Sequence, residues 1–100
     1  MHLTPREIDK LLVLSLGEVA RRRKENGLRL NHPEAMAFIT SVALEEARAG
    51  KTVEEVMNST RKALSRADVM EGVAEMIPFV QLEAVFTDGS RLVTVHDPIN

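Results

Sequence analysis

The side chains best suited to chemistry in this 100-residue chain are three histidines and several glutamates. Imidazoles at i, i+4 on a helix, or at H-x-H on a strand, could bind a transition metal. His2, His32 and His96 are far apart in sequence and have neither spacing, which is typical of isolated surface histidines. We therefore predict no metal-binding residue and no cofactor-binding residue in this chain.

The glutamates suit helix capping better than proton transfer. Glu7, Glu34 and Glu55 each follow a Thr or Asn by three residues, which is the spacing of a capping box. The hydroxyl residues have no histidine at local spacing, and the chain has no G-x-S-x-G, Walker or G-x-G-x-x-G motif. The sequence therefore predicts no catalytic residue.

The basic run Arg21–Lys24 is the one motif that suggests binding of another molecule. Consecutive residues spread around a helix axis, and cations in a last turn stabilise the helix by about 0.3–1 kcal/mol. No aromatic residue lies nearby to stack on a base. We therefore favour helix stabilisation or a salt bridge with a partner. The alternative that stays open is a free-standing adaptor or nucleic-acid-binding module that uses this basic end of the first helix.

Composition limits the class of protein. The formal net charge is −2, from 13 basic and 15 acidic residues, so nothing indicates a bulk attraction to nucleic acid or to an anionic membrane. Cysteine is absent, which excludes disulfides and thiolate chemistry. No apolar run approaches the roughly 18–20 residues of a membrane span, and the start does not resemble a secretory signal. We expect a soluble, cytoplasmic protein with no nucleic-acid or membrane partner.

Capping signals and apolar periodicity predict three main helices and a short fourth. Their bounds are about 5–26, 32–49, 53–64 and 66–71. The second helix is apolar almost all round and is expected to be the most buried. The first helix has a main apolar face, formed by Ile8, Leu11, Leu12, Leu16 and Val19.

A change to strand composition predicts a C-terminal β-hairpin at about 79–96. Asp88-Gly89 is a type I′ turn signal, and such a turn pairs Ala84 with Val93. One face then carries the apolar residues Val80, Leu82, Ala84, Phe86, Val93 and Val95. The fold class is α+β, a compact helical domain with an antiparallel hairpin. Because a lone hairpin is marginal in water, we expect another chain to cover its edges and its tip at Val85 and Leu92.

Five stretches in fixed order carry a resemblance to a known family. They are the capped first helix, GLRLNHPEAMAFIT, GKTVEEVM, VMEGVAEMI and QLEAVFTDGSRLVTVHDPI. Together they resemble the urease gamma subunit family from about Met1 to Ile99. The resemblance implies one gamma-like domain over residues 1–100, in an enzyme that hydrolyses urea to ammonia and carbamate.

The resemblance also implies where the chemistry lies. Two nickel ions, bridged by a carbamylated lysine, belong to the large alpha subunit. The gamma chain carries no catalytic residue and assembles with the beta and alpha subunits, typically as a trimer of heterotrimers with other gamma copies. The expected function is therefore that of a non-catalytic structural subunit with an obligate apolar interface on helices 1 and 2.

Three positions depart from the family pattern. His32 stands where Tyr is common, Ala74 where Pro is common, and Asp97 where Asn is frequent before Pro98. These departures affect how the start of the second helix and the C-terminal tail meet neighbouring chains.

Overall fold

The computed structural model describes residues 1–100 as a group of helices followed by a two-stranded antiparallel sheet. The predicted α+β class is confirmed. In chain order the elements are α1 (Pro5–Glu25), α2 (His32–Arg48), α3 (Val53–Thr60), a 3₁₀ turn (Arg66–Asp68), α4 (Val73–Met76), β1 (Phe79–Phe86) and β2 (Gly89–His96). No helix combines the length and apolarity needed to cross a lipid bilayer.

The first three helices all begin with a capping box. In each box the cap side chain accepts a hydrogen bond from the glutamate N–H, and the glutamate carboxylate accepts one from the cap N–H. The pairs are Thr4–Glu7, Asn31–Glu34 and Thr52–Glu55. Because these bonds are local and satisfy N–H groups that a helix start leaves unpaired, the helices begin where the sequence predicts.

The second helix is the centre of the fold. α2 contacts α1, α3, α4 and β1, and its buried residues include Ala35, Ile39 and Ala43. The hairpin lies across the helices, with β1 against α2 and β2 against α3. Its inner face carries the six apolar residues that the sequence predicts, and all six are buried. The predictions for α2 and for the inner face of the hairpin are therefore confirmed.

The main apolar face of α1 is not the side that packs within the chain. The helix packs on α2 through the side where Gly17 and Ala20 are buried. A Cβ placed on Gly17 would lie 2.5 Å from Ser41 Oγ and 3.0 Å from the Ala37 carbonyl oxygen, so these small residues allow a close helix crossing. Most of the predicted face is exposed instead, at 45% for Ile8, 52% for Leu11, 62% for Leu12 and 39% for Val19.

The hairpin register also differs from the prediction. Phe86 pairs with Gly89 and Ala84 with Arg91, so the turn residues are Thr87 and Asp88. Neither has a positive φ, whereas Gly89 has φ +117°. A type I′ turn needs positive φ at both central residues, so the turn is of another type with glycine just after it. The shift is two residues, which leaves each side chain on its predicted face because strands alternate with period two.

The segment between α3 and β1 contains two more corrections. α3 ends at Thr60, four residues before its predicted end, because Lys62 and Ala63 donate to carbonyls three residues back and Leu64 leaves the helix to bridge Ile99. The predicted short helix at 66–71 is a 3₁₀ turn over Arg66–Asp68 only. Gly72, with φ +87°, is the N-cap of α4, an element that the sequence analysis missed.

Candidate functional site

The three histidines occupy three separate parts of the fold. His2 is exposed in the segment before α1, and His32 is the half-buried first residue of α2. His96 ends β2 on the outer face of the hairpin, where its ring centroid lies 6.2 Å from that of Phe79. No group of three or more His, Cys, Asp or Glu side chains is arranged to hold a metal ion.

The capping glutamates are held in their ionised form. The cap N–H of Thr4 lowers the pKa of Glu7, and the cap N–H of Thr52 lowers the pKa of Glu55. A general acid that acts near neutral pH needs a raised carboxyl pKa. These carboxylates therefore stabilise helix starts and are poor proton donors.

Two of the four cations in the basic run bind carboxylates of the same chain. Arg21 pairs with Glu18 and Glu25 on α1. Arg23 pairs with Glu34 at the start of α2. Arg22 and Lys24 have no carboxylate within ion-pair distance. The run is therefore largely a stabilising feature of the α1 C-terminus and its contact with α2.

The Arg23–Glu34 pair is a contact that the sequence analysis missed. Glu34 is only 4% exposed, and its Oε1 accepts the Asn31 N–H at 2.9 Å while Oε2 accepts from Arg23. The Asn31 N–H, and after it the Arg23 guanidinium, hold the pKa of Glu34 below its ordinary value despite burial. The partners are eleven residues apart in different helices, so no local sequence signal indicates the pair.

The outstanding surface feature is an exposed apolar stripe along α1. We call it the outer stripe; its members are Ile8, Leu11, Leu12, Ser15, Leu16 and Val19. They follow the i, i+3, i+4, i+7, i+8, i+11 spacing that places residues on one side of a helix, and they span about 17 Å. None is charged, Leu16 is half-buried, and the other five are exposed.

Burial of the outer stripe by another molecule would be favourable. Complete burial of a Leu or Ile side chain stabilises by about 1.5–3 kcal/mol. Leu12 alone has 62% of its surface left to bury. Because α1 already packs on α2 through its opposite side, the helix is built with two contact faces, and only one is used within the chain. The arrangement can bind an apolar surface and offers no reactive group.

The known proteins most informative for this chain share its length and pattern. The sequence model of the family "Urease, gamma subunit" matches residues 1–99. The chain belongs to this family. Proteins named urease subunit gamma are 67% identical in Laribacter hongkongensis, 66% in Photorhabdus laumondii and 61% in Yersinia enterocolitica, each over 99% of both chains. The resemblance predicted from the five sequence stretches is confirmed.

Membership in a urease family implies nickel in the complex, and the residues of this chain do not fit a nickel site. The histidines lie on three different elements, and no carboxylate and imidazole cluster exists. The buried carboxylate of Glu34 is already occupied by Asn31 and Arg23.

The three departures from the family pattern fit the local backbone. Asp97 has φ +46° and is the one non-glycine residue with positive φ; Asp and Asn both tolerate this left-handed region better than other side chains. Ala74 is buried in the first turn of α4, where helices also accept proline. His32 follows the Asn31 cap as the first residue of α2.

Proposed function

We propose that this chain is a non-catalytic structural subunit of a nickel-dependent urease, which hydrolyses urea to ammonia and carbamate. In this proposal the two nickel ions and their carbamylated lysine belong to the alpha subunit. The chain assembles in the cytoplasm with beta and alpha subunits, as a trimer of heterotrimers that includes further gamma copies. Residues 1–100 form a single gamma-like domain with no catalytic, cofactor-binding or metal-binding residue.

The outer stripe is the observation that carries this proposal. A chain of 100 residues that exposes four large aliphatic side chains along one helix has a surface of the kind that obligate interfaces bury. Family membership supplies the class of partner, because the relatives are themselves named as subunits. A permanent partner also stabilises the bound fold by mass action. The chain would thus help to fix the geometry of the alpha subunits without contacting urea.

The ion pairs of Arg21 and Arg23 argue against a nucleic-acid-binding module at the basic end of α1. Those two side chains already form ion pairs with Glu18, Glu25 and Glu34. Phosphate binding would have to break these pairs or rely on the remaining two cations. Nucleic-acid binding falls steeply with salt, whereas an apolar interface changes little.

The test is co-purification of the tagged chain from cells that make the whole urease, followed by native mass spectrometry. We expect a complex with the two larger subunits that persists when salt is raised from about 0.05 to 0.5 M. The chain purified alone is expected to retain no nickel and to turn over no urea. A lone monomer in the native cell, or urea turnover by the isolated chain, would overturn the proposal.

A further inference from the structure

The first helix ends at an Asn-Gly pair that is held by two hydrogen bonds. Asn26 is the C-cap of α1, and Gly27 follows it with φ +78°. The Gly27 N–H donates to the Lys24 carbonyl oxygen at 3.0 Å. The Leu28 N–H donates to the Arg23 carbonyl oxygen at 2.9 Å. Together the two bonds form a Schellman motif, which closes the end of the helix.

No apolar contact supports this closed cap. In a Schellman motif the residue after the glycine commonly packs on an apolar residue of the last turn. Here that residue is Leu28, which is 57% exposed, and the last turn offers Arg22 and Arg23. The side chain of Asn26 is exposed as well. The cap can therefore open locally while the rest of the chain stays folded, because only two backbone hydrogen bonds are lost.

An asparagine followed by glycine can lose ammonia from its side chain without an enzyme. Base removes the proton of the Gly27 N–H, and this nitrogen attacks the side-chain carbon Cγ of Asn26. An N–Cγ bond forms, the Cγ–Nδ2 bond breaks, and Nδ2 takes a proton from water and leaves as ammonia. The product is a cyclic succinimide, which water opens at either carbonyl to give aspartate or isoaspartate. Glycine favours the attack because it has no Cβ to hinder the approach.

We propose that Asn26 is a site of spontaneous deamidation, and that opening of the α1 C-cap controls its rate. The ring cannot form while the Gly27 N–H donates to the Lys24 carbonyl, because the same nitrogen must lose its proton and turn towards the Asn26 side chain. Two backbone hydrogen bonds favour the closed cap about ten- to a hundredfold, so the fold slows the reaction by that factor and does not stop it.

Two other asparagines are held more firmly and serve as comparisons within the same chain. Asn31 is the N-cap of α2, and its Oδ1 accepts the Glu34 N–H at 3.0 Å. Asn58 lies inside α3. The residues that follow them are His32 and Ser59, whose Cβ atoms hinder the attack that glycine permits.

The two products affect the end of α1 differently. Aspartate leaves the main chain unchanged and adds one negative charge beside the basic run. Isoaspartate routes the main chain through the side chain and adds a methylene group between positions 26 and 27. The two bonds of the cap cannot both form with the longer backbone, although Leu30, which is fully buried, still anchors the segment.

The test incubates the full-length chain at mildly alkaline pH and follows each asparagine by peptide mass spectrometry. A synthetic peptide of residues 21–30 gives the rate without the fold, and far-UV circular dichroism checks that the chain is folded. Hydrogen exchange of the Gly27 amide, measured by NMR, gives the fraction of time for which the cap is open. Asn26→Gln is the matched control, because its longer side chain would have to close a larger and slower ring. Asn26→Asp supplies one of the two products directly.

We expect Asn26 to react at least about tenfold faster than Asn31 and Asn58, and about ten- to a hundredfold more slowly than the peptide. This slowing should match the exchange protection of the Gly27 amide within about threefold, because both reactions need the same opening. The isoaspartate form should lose the protection at Gly27 and Leu28, whereas Asn26→Asp should keep it.

Two results would overturn the proposal. If Asn31 or Asn58 reacts as fast as Asn26, or the Asn26→Gln variant gains the mass of deamidation at the wild-type rate, the site is wrongly assigned. If the fold slows the reaction by over about tenfold more than it protects the Gly27 amide, opening of the cap does not control the rate.

Discussion

The close crossing of α1 and α2 allows a prediction from one atom pair. Gly17 sits in the middle of α1, where replacement by alanine normally gains about 1 kcal/mol of helix propensity. Here the new methyl group would lie 2.5 Å from Ser41 Oγ and 2.7 Å from Ser41 Cβ. Carbon atoms in good contact lie about 3.5–4.0 Å apart. The helices would have to separate by about 1 Å, the shortfall from that contact distance.

The expected free-energy change follows from these opposing effects. Overpacking of this kind costs about 1–3 kcal/mol, which exceeds or cancels the propensity gain. Gly17→Ala should therefore lower the free energy of unfolding by up to about 2 kcal/mol. Ser41→Gly removes both clashing atoms, although it costs propensity in α2. In the double variant the methyl group no longer meets Ser41, and only the 3.0 Å approach to the Ala37 carbonyl oxygen remains. The two changes should therefore couple favourably by about 1–3 kcal/mol.

Chemical unfolding followed by far-UV circular dichroism is the assay, since the chain has no Trp or Tyr for fluorescence. The control is Ser15→Ala, an exposed position on the same helix, which should be neutral or slightly stabilising. The reasoning would be refuted if Gly17→Ala stabilised the chain as the control does. It would also be refuted if the free-energy changes of Gly17→Ala and Ser41→Gly added up to that of the double variant within about 0.5 kcal/mol.

Three further predictions concern the ion pair, the core and a helix cap. The lowered pKa of Glu34 means that its contribution to stability is complete above its ordinary value of 4.5 and is lost as pH falls through the folded value. Glu34→Gln should therefore destabilise at pH 7 and flatten the acid dependence of the unfolding midpoint; an unchanged pH profile would contradict this. Ile39→Ala, at a fully buried position, should cost about 2–5 kcal/mol, whereas Leu11→Ala on the outer stripe should cost under about 1 kcal/mol in the free chain. Thr52→Ala removes the cap of α3 and should cost about 0.5–2 kcal/mol, seen as a lower denaturation midpoint with an unchanged slope.

Features that depend on neighbours within a few residues could be predicted from the sequence. The three capping boxes close over three residues, so the starts of α1, α2 and α3 followed from residue types alone. Strand alternation predicted which hairpin side chains face the core. It did not fix the register, because a two-residue shift preserves both faces. The Asp88-Gly89 signal misled because Gly89 has positive φ but Asp88 does not.

Features that depend on distant residues were decided by the tertiary structure. α3 ends at Thr60 because Leu64 bridges Ile99, and Glu34 finds Arg23 across two helices. For the candidate site, apolar periodicity located the outer stripe of α1. It could not tell that the other side of α1, which carries the small residue Gly17, packs against α2 inside the chain. The amount of apolar surface does not decide which face of α1 is buried inside the chain. What decides it is how closely α1 and α2 can approach each other, and that depends on the shape of the α2 surface. The sequence by itself thus determined the starts of the three main helices, the presence of the hairpin and the family, and only the packed structure showed which face of α1 stays exposed.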